Sequence, residues 1–342
     1  MKPRLLLHCQ HLLGIGHLVR SLELARALSE AFDVTVLSGG RRPGGLAWPA
    51  GVDVIPLPEE GRRELVLASL ARIRPQVVLV ELFPFGRKKL AGELVPLLER
   101  ARAGGAVTAC SLRDILVRGR DDQAEHDERA SRLANEHLDL VLVHADPRFA
   151  RLEESFRPQT RLRVPVVYTG FVARKPGPAV RDPRRVVVSA GGGAFGGALL
   201  DAARHALPSV RRLGLELELI AGPLADGPLG RDVLRAVPDL PARLAAARAS
   251  VSQCGYNTAV ELLQARVPAL VVPFAAPGED EQTTRARRLA SLGAVRMLDP
   301  AELDAPRLAR EVEALLDFEP AAVELDFDGA RTTTSTLGRL AA

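Results

Sequence analysis

The chain has 342 residues, long for a single hydrophobic core and of ordinary size for two domains. Hydrophobic residues at 47% and charged residues at 26% give a globular balance that excludes disorder, and aromatics at 4% leave the core to Leu, Val and Ala. The formal net charge of +4, carried mostly by arginine, suits phosphate-bearing ligands or an anionic membrane surface, while zinc-finger spacings and aromatic-plus-basic RNA signatures are missing, so nucleic acid is not an expected partner.

Taken in chain order, short Leu- and Val-rich runs alternate with amphipathic stretches. Strands are predicted at 4–9, 33–38, 52–56, 76–81, 106–111, 139–143 and 162–167, and helices at 17–30, 61–73, 87–103, 122–137 and 147–155. Such alternation reads as a parallel sheet with helices on both faces. "GFVARKPGPAVRDPRR", residues 170–185, breaks the period and reads as a linker and hinge. The alternation then resumes, with strands at 185–190, 215–220, 232–237, 249–252, 268–273 and 294–298, and helices at 197–209, 240–247, 256–265, 279–291 and 301–316. The final "GARTTTSTLGRLAA" can form a helix that packs back on either half. The expected organisation is therefore an α/β chain: a first unit at 1–169, the linker, a second unit at 186–320 and a helical tail at 321–342. Two doubly wound units put a cleft between the carboxyl ends of their sheets, where ligands bind in such folds.

No apolar run reaches the ~20 residues that span a bilayer, and "MKPRLLLHCQ" is too short for a signal peptide. Cys9, Cys110 and Cys254 are scattered, which disfavours a disulfide framework or structural zinc and fits a reducing cytosol. A cytoplasmic location is expected, with peripheral contact at the inner face of the membrane left open by the charge.

Three turns between strand and helix carry the candidate chemistry. The first is Gly14-Ile15-Gly16-His17-Leu18-Val19-Arg20. A dinucleotide fingerprint needs a third glycine where Val19 and Arg20 stand and an acid after the second strand, which instead ends in Leu37-Ser38-Gly39-Gly40; an NAD site is rejected. Leu18, Leu22, Ala25 and Leu28 form the buried stripe of the helix, and His17 and Arg20 share another face at its first turn. A helix N-terminus disfavours a cation, so His17 is biased toward neutral imidazole, the state a general base needs. The plainer reading makes His17 a turn residue and Arg20 a solvated charge.

The second is Ser189-Ala190-Gly191-Gly192-Gly193-Ala194-Phe195-Gly196-Gly197, after a Val-Val-Val strand. Bare backbone and a helix N-terminus can hold a diphosphate. The Gly-Lys-Ser/Thr ending of a P-loop is missing, which argues against ATP hydrolysis. The third runs from 250 to 295. Gly255 opens a helix on which Asn257, Thr258 and Glu261 can face one ligand edge, and the Glu261 carboxylate can accept both ribose hydroxyl protons. Glu279, Asp280, Glu281 and Gln282 start the next helix; Glu281 could equally pair with Arg285 at i,i+4, while Gln282 gains nothing from a helix dipole.

The third stretch resembles the C-terminal donor-binding domain of family-28 glycosyltransferases, the family that includes the enzyme completing peptidoglycan lipid II. Nearly the whole chain resembles a related bacterial group of glycosyltransferases, through "LGIGHLVR", "ELFPFGRKKL", "SLRDIL", "VVYTGFV" and "GYNTAVELL". The resemblance implies the GT-B fold, two Rossmann-like domains facing a cleft. It implies that Glu261 holds the ribose, that Gly191–Gly193 meet the diphosphate with Thr258 beside it, that Gln282 reads sugar hydroxyls, and that main chain near Val237 meets the base. A Gln-Gln pair of the lipid II enzyme is Glu281-Gln282 here, so the donor hexose is left open and UDP is the expected nucleotide.

The first unit is expected to hold the acceptor, through Gly14, Gly16, Arg20, Arg87 and Arg113. Glu81 ends the fourth strand and Asp114 follows the fifth, both on the cleft side; each is a second base, an acceptor ligand, or half of a salt bridge with Arg87 or Arg113. The expected reaction is an inverting, metal-independent transfer of a hexose from a nucleotide donor to an acceptor hydroxyl, with His17 as base and no cofactor beyond the nucleotide-sugar substrate. Two rivals are a nucleotide-sugar hydrolase, whose G-x-G-H-x-x-R turn is similar, and a binding protein without turnover; a non-hydrolysing 2-epimerase stands behind them. Three weaker signals are set aside. Asp326-Phe327-Asp328 has the D-x-D spacing of a different glycosyltransferase fold. Asp122 and His126 in "DDQAEHDE" fit an exposed charged helix better than a metal site. "FGRKKLAGELVPLL" could lie on a membrane, but Leu94, Leu97 and Leu98 suit the core.

Overall fold

The computed structural model describes residues 2–11, 14–40, 43–44, 46–192, 196–225, 229–237, 239–276 and 278–341. Seven strands form the first sheet among these residues: β1 (Arg4–Gln10), β2 (Asp33–Gly39), β3 (Val52–Leu57), β4 (Val77–Glu81), β5 (Val107–Leu112), β6 (Leu140–Val143) and β7 (Val166–Tyr168). They lie in the order β3-β2-β1-β4-β5-β6-β7 and all their pairings are parallel. Helices α1 (Gly16–Leu28), α2 (Arg62–Ile73), α3 (Ala91–Ala103), α4 (Gln123–His137) and the single turn α5 (Leu152–Ser155) connect them. The second sheet contains β8 (Arg185–Ser189), β9 (Glu216–Ile220), β10 (Val233–Leu234), β11 (Ala249–Ser252), β12 (Ala269–Val271) and β13 (Arg296–Met297). Its order is β10-β9-β8-β11-β12-β13, again parallel, with helices α6 (Gly197–Arg212), α7 (Leu240–Ala245), α8 (Tyr256–Ala265), α9 (Glu281–Ser291) and α10 (Ala305–Ala314). Helix α11 (Gly329–Leu340) follows.

The central strands are apolar on both faces because helices cover both, as in β1, where six of the seven residues are buried. In each sheet the strand order reverses beside the first strand, between β1 and β4 and between β8 and β11. A crevice opens at such a switch point, at the carboxyl ends of the strands. His17 follows β1 and Glu81 ends β4; Gly191 and Asn257 follow β8 and β11.

At three elements that differ from their predicted bounds, proline or a side-chain-to-backbone bond is responsible. Pairing of β7 starts at Val166 because Pro165 has no N–H to give, although its carbonyl accepts from Val141 N. The helix expected at 147–155 shrinks to one turn because the Asp146 carboxylate captures the Arg148 N–H (2.8 Å) and fixes a turn there. Helix α10 starts at Ala305 because Asp304 caps it and Pro306 sits in its first turn.

The chain crosses between the units twice. The linker is one crossing, and residues 317–328 return so that α11 packs on α1, with Leu337 buried among Leu24, Leu28 and Val36. The sequence left the destination of this helix open. Another apolar cluster is continuous from Leu6 and Phe83 through Phe171 and Tyr256 to Val271 and Leu289, so α8 and α9 rest directly on the first unit. Leu94, Leu97 and Leu98 are fully buried in it, which removes the membrane-facing reading of α3. His126 is buried against Asp127, not displayed on an exposed face, and Asp127 also accepts from Gln123 and from the Arg157 N–H.

Candidate active site

A cavity of about 1680 Å³ lies between the carboxyl ends of the two sheets. Gly14, Gly16, His17, Arg20, Arg87 and Arg113 line it from the first unit. Gly191, Gly192, Val237, Gly255, Asn257, Thr258, Glu261, Glu281 and Gln282 line it from the second. Gly193 lies outside the described residues. Ser189 is buried behind the wall, where its Oγ accepts from Gly191 N at 3.4 Å.

On the first unit, Glu81 is buried, and its Oε1 receives two donors: His17 Nδ1 at 2.5 Å and Arg20 Nη2 at 2.6 Å. Arg87 Nη2 stands 3.8 Å from the other oxygen. Burial alone would push the Glu81 carboxyl up, but His17, Arg20 and Arg87 together hold it below the usual carboxylate range. Burial, and then the nearby Arg113 guanidinium, hold the His17 imidazole well below its ordinary value against the pull of Glu81. Glu81 is therefore an ion that only accepts, Nδ1 of His17 carries the hydrogen between them, and the lone pair is on Nε2. The neutral imidazole expected from the helix N-terminus is present for a different main reason, burial beside arginine.

Two site residues occupy other positions than the sequence suggested. Glu81 is enclosed behind His17 and does not line the cavity, so it orients the imidazole and is not placed to take a proton from an acceptor. Asp114 is also buried away from the cavity wall; both its oxygens are taken by Arg285 of α9, at 2.7 and 2.8 Å, and not by Arg87 or Arg113. Asp114 joins the two units and is not a free base. Arg20 is no solvated charge either: it is 1% exposed, with its guanidinium 5.6 Å above the Tyr256 ring. Burial would lower the Arg285 pKa, but the Asp114 carboxylate beside it holds the guanidinium above its ordinary range.

Further contacts cross the cleft. Asn257 Nδ2 donates to the Gly16 carbonyl at 3.1 Å, and Ile15 N donates to the Gly192 carbonyl at 3.3 Å. Arg113 Nη1 donates to Glu281 Oε1 at 3.0 Å, so the first partner of Glu281 is across the cleft, and Arg285 is 4.0 Å away. Gln282 turns its carbonyl oxygen to Cys254 N and Phe274 N, which leaves its amide hydrogens as its free polar face. Gly222, which sequence reading passed over, holds the glycine turn in place: its φ is +96°, and a Cβ there would stand 2.0 Å from the Gly191 carbonyl oxygen.

Of the acids that line the cavity, the buried one is Glu261. Among the described residues no hydrogen bond or ion pair engages its carboxyl, and burial, then Asp239 and Glu23, push it up to about 8. A protonated carboxyl that lines a cavity without a partner can donate one hydrogen bond and accept others, which matches a vicinal diol. Asp239 and Glu23 were not singled out in the sequence because they lie 22 and 238 positions away from Glu261.

Residues 230–326 match the glycosyltransferase family 28 C-terminal domain. One relative is the UDP-N-acetylglucosamine--N-acetylmuramyl-(pentapeptide) pyrophosphoryl-undecaprenol N-acetylglucosamine transferase of Alkalilimnicola ehrlichii, 31% identical over 165 residues that cover 44% of this chain and 46% of that protein. The protein of the same name from Gloeobacter violaceus is 39% identical over 74 residues, 22% of this chain and 21% of its own length. The chain thus spans less than half the length of these relatives. Among solved structures, the glycotransferase of kitacinnamycin superposes with a TM-score of 0.62 at 18% identity, covering 99% of this chain and 95% of its own. Spinosyn forosaminyltransferase SpnP superposes with a TM-score of 0.63 at 16% identity, covering 99% and 94%. The chain therefore has the GT-B fold of the glycosyltransferases on which it superposes, and its residues 230–326 match the family 28 C-terminal domain.

Proposed function

We propose that the protein is a nucleotide-sugar-dependent glycosyltransferase that moves a hexose from UDP to an acceptor hydroxyl with inversion and without a metal. The observation that carries this reading is the opposition of two walls in one cavity: the His17–Glu81 pair on one, the Gly191–Gly192 turn with Glu261 on the other. In this mechanism His17 Nε2 takes the proton of the acceptor hydroxyl while Glu81 holds Nδ1–H and stabilises the imidazolium that forms. The hydroxyl oxygen bonds to the anomeric carbon from the face opposite the diphosphate, whose bond to that carbon breaks with the electron pair. Amides of the glycine turn and the N-terminal end of α6 meet the charge on the leaving diphosphate. Glu261 holds the ribose diol, main chain near Val237 meets the base, Thr258 lies beside the phosphates, and Gln282 donates to the sugar. Arg87 and Arg113 line the acceptor side. UDP is favoured by the names of the family 28 relatives, while spinosyn rhamnosyltransferase SpnG and VinC have been solved with thymidine diphosphate.

The test is diphosphate release from UDP-, dTDP- and GDP-sugars, with and without a crude cytosolic and lipid extract, for wild type and Glu261→Ala. Release that requires the extract, survives EDTA and is lost in the variant supports the proposal. Release in buffer alone makes water the acceptor and the protein a hydrolase; binding with no release from any donor makes it a binding protein.

A further inference from the structure

Helix α8 of the second unit does more than present Glu261. Its first residue, Tyr256, is 3% exposed and is inserted into the first unit: its hydroxyl donates to the His144 carbonyl at 2.8 Å and accepts from Val172 N at 2.9 Å. The ring so fixed lies under Arg20, which is the residue that shares Glu81 Oε1 with His17. Nε and Nη1 of Arg20 are buried and have no hydrogen-bond partner among the described residues, where the guanidinium is held by one carboxylate oxygen and one aromatic face. A planar cation placed over a desolvated ring is attracted to it. Removing the ring takes away one of the two holds on Arg20 and loosens its grip on Glu81 Oε1, so that the orientation of Glu81 then rests on His17 and Arg87. The next residue, Asn257, bonds the carbonyl of Gly16, which immediately precedes His17.

We propose that Arg20 and Tyr256 are positioning residues for the His17–Glu81 pair, so that the helix bearing the nucleotide-side Glu261 also sets the imidazole of the opposite wall. The inference rests on the reading of His17 as the base. It means that the base is aligned by the docked second unit and not by the first unit alone.

The test uses the histidine side-chain nitrogen resonances of the ¹⁵N-labelled full chain, with the His17 signals assigned by their loss in His17→Gln. Wild type shows a single Nδ1–H tautomer at His17. Tyr256→Phe, which keeps the ring under Arg20, retains that pattern, and Tyr256→Leu shows exchange between two tautomers. Where an active donor and acceptor are in hand, Tyr256→Leu lowers kcat on the order of 10-fold or more with an unchanged KM for the donor, and Tyr256→Phe restores it. If Tyr256→Leu does not fold, Arg20→Lys carries the same test, because it keeps the charge and loses the planar stacking group. An unchanged His17 pattern in Tyr256→Leu or Arg20→Lys overturns the proposal, and so does a Phe variant as disturbed as Leu. The resonances need no substrate, so this result stands apart from whether any nucleotide-sugar is consumed.

Discussion

Replacing Glu261 with Gln should make the protein more stable at alkaline pH and worse at holding a nucleotide. In the folded chain the Glu261 carboxyl is pushed from 4.5 up to about 8, whereas the unfolded chain ionises it at its ordinary value. Between these two values the unfolded state has lost the proton and the folded state has kept it. Stability therefore falls as pH rises from about 4.5 to about 8, and stays lowered above that. At about 1.4 kcal/mol for each tenfold change in the equilibrium, the gap corresponds to roughly 5 kcal/mol at most. An unfolding entropy of about 2 cal/mol/K per residue turns that into a difference in Tm of about 7 °C for a chain of this length. Gln preserves shape and hydrogen bonding but cannot ionise. Thermal unfolding of both proteins from about pH 5 to about pH 8.5 reads the difference directly, since all other titrations are shared. The Gln variant should gain on wild type as pH rises, yet bind UDP about 10-fold or more weakly by calorimetry above about pH 8, where wild type offers the diol two carboxylate oxygens and the amide offers one. Parallel Tm curves for the two proteins would show that Glu261 ionises normally and would refute the reasoning.

Further expectations follow from other contacts. His17→Ala should lower turnover on the order of 10²-fold with donor affinity retained; steady-state kinetics of a purified variant with unchanged kcat would remove His17 from the role of base. Asp114→Ala leaves Arg285 buried without its carboxylate and should destabilise by about 3–5 kcal/mol, read by urea unfolding. Gly222→Ala should weaken nucleotide binding about 10-fold or more, because the methyl would displace the Gly191 carbonyl and the backbone there is left-handed. Gly16→Ala is the control: its Cβ would meet Arg113 at an ordinary 3.4 Å, so Tm should stay within about 2 °C of wild type.

What the sequence made legible was local. The Val- and Leu-rich strands, the glycine turns after β1 and β8, and the helix that carries Glu261 all follow from period and turn chemistry within a few residues. The pairings that assemble the site are long-range. Asp114 and Arg285 are 171 positions apart, and nothing beside either residue selects the other over Arg113 or Glu281. Arg20 is buried between Glu81 of β4 and Tyr256 of α8, partners 61 and 236 positions away that the phase of α1 does not reveal. Tyr256 stood in plain view in "GYNTAVELL", but its function depends on His144 and Val172, which only the packing of two sheets brings to it.

The return of the chain to the first unit has a consequence for anyone who would build hybrids from this scaffold. Residues 329–340 are the last helix in sequence but belong structurally beside α1, with Leu337 seated among Leu24 and Leu28. The fit at their entry is tight, since even a methyl on Gly329 would stand 2.2 Å from the Gly170 carbonyl oxygen. A graft of the second unit spliced at the linker alone would bring a foreign helix to that seat. Exchange of specificities therefore needs two junctions, one in the linker and one ahead of Gly329, so that the insert is an internal segment and α11 stays on α1.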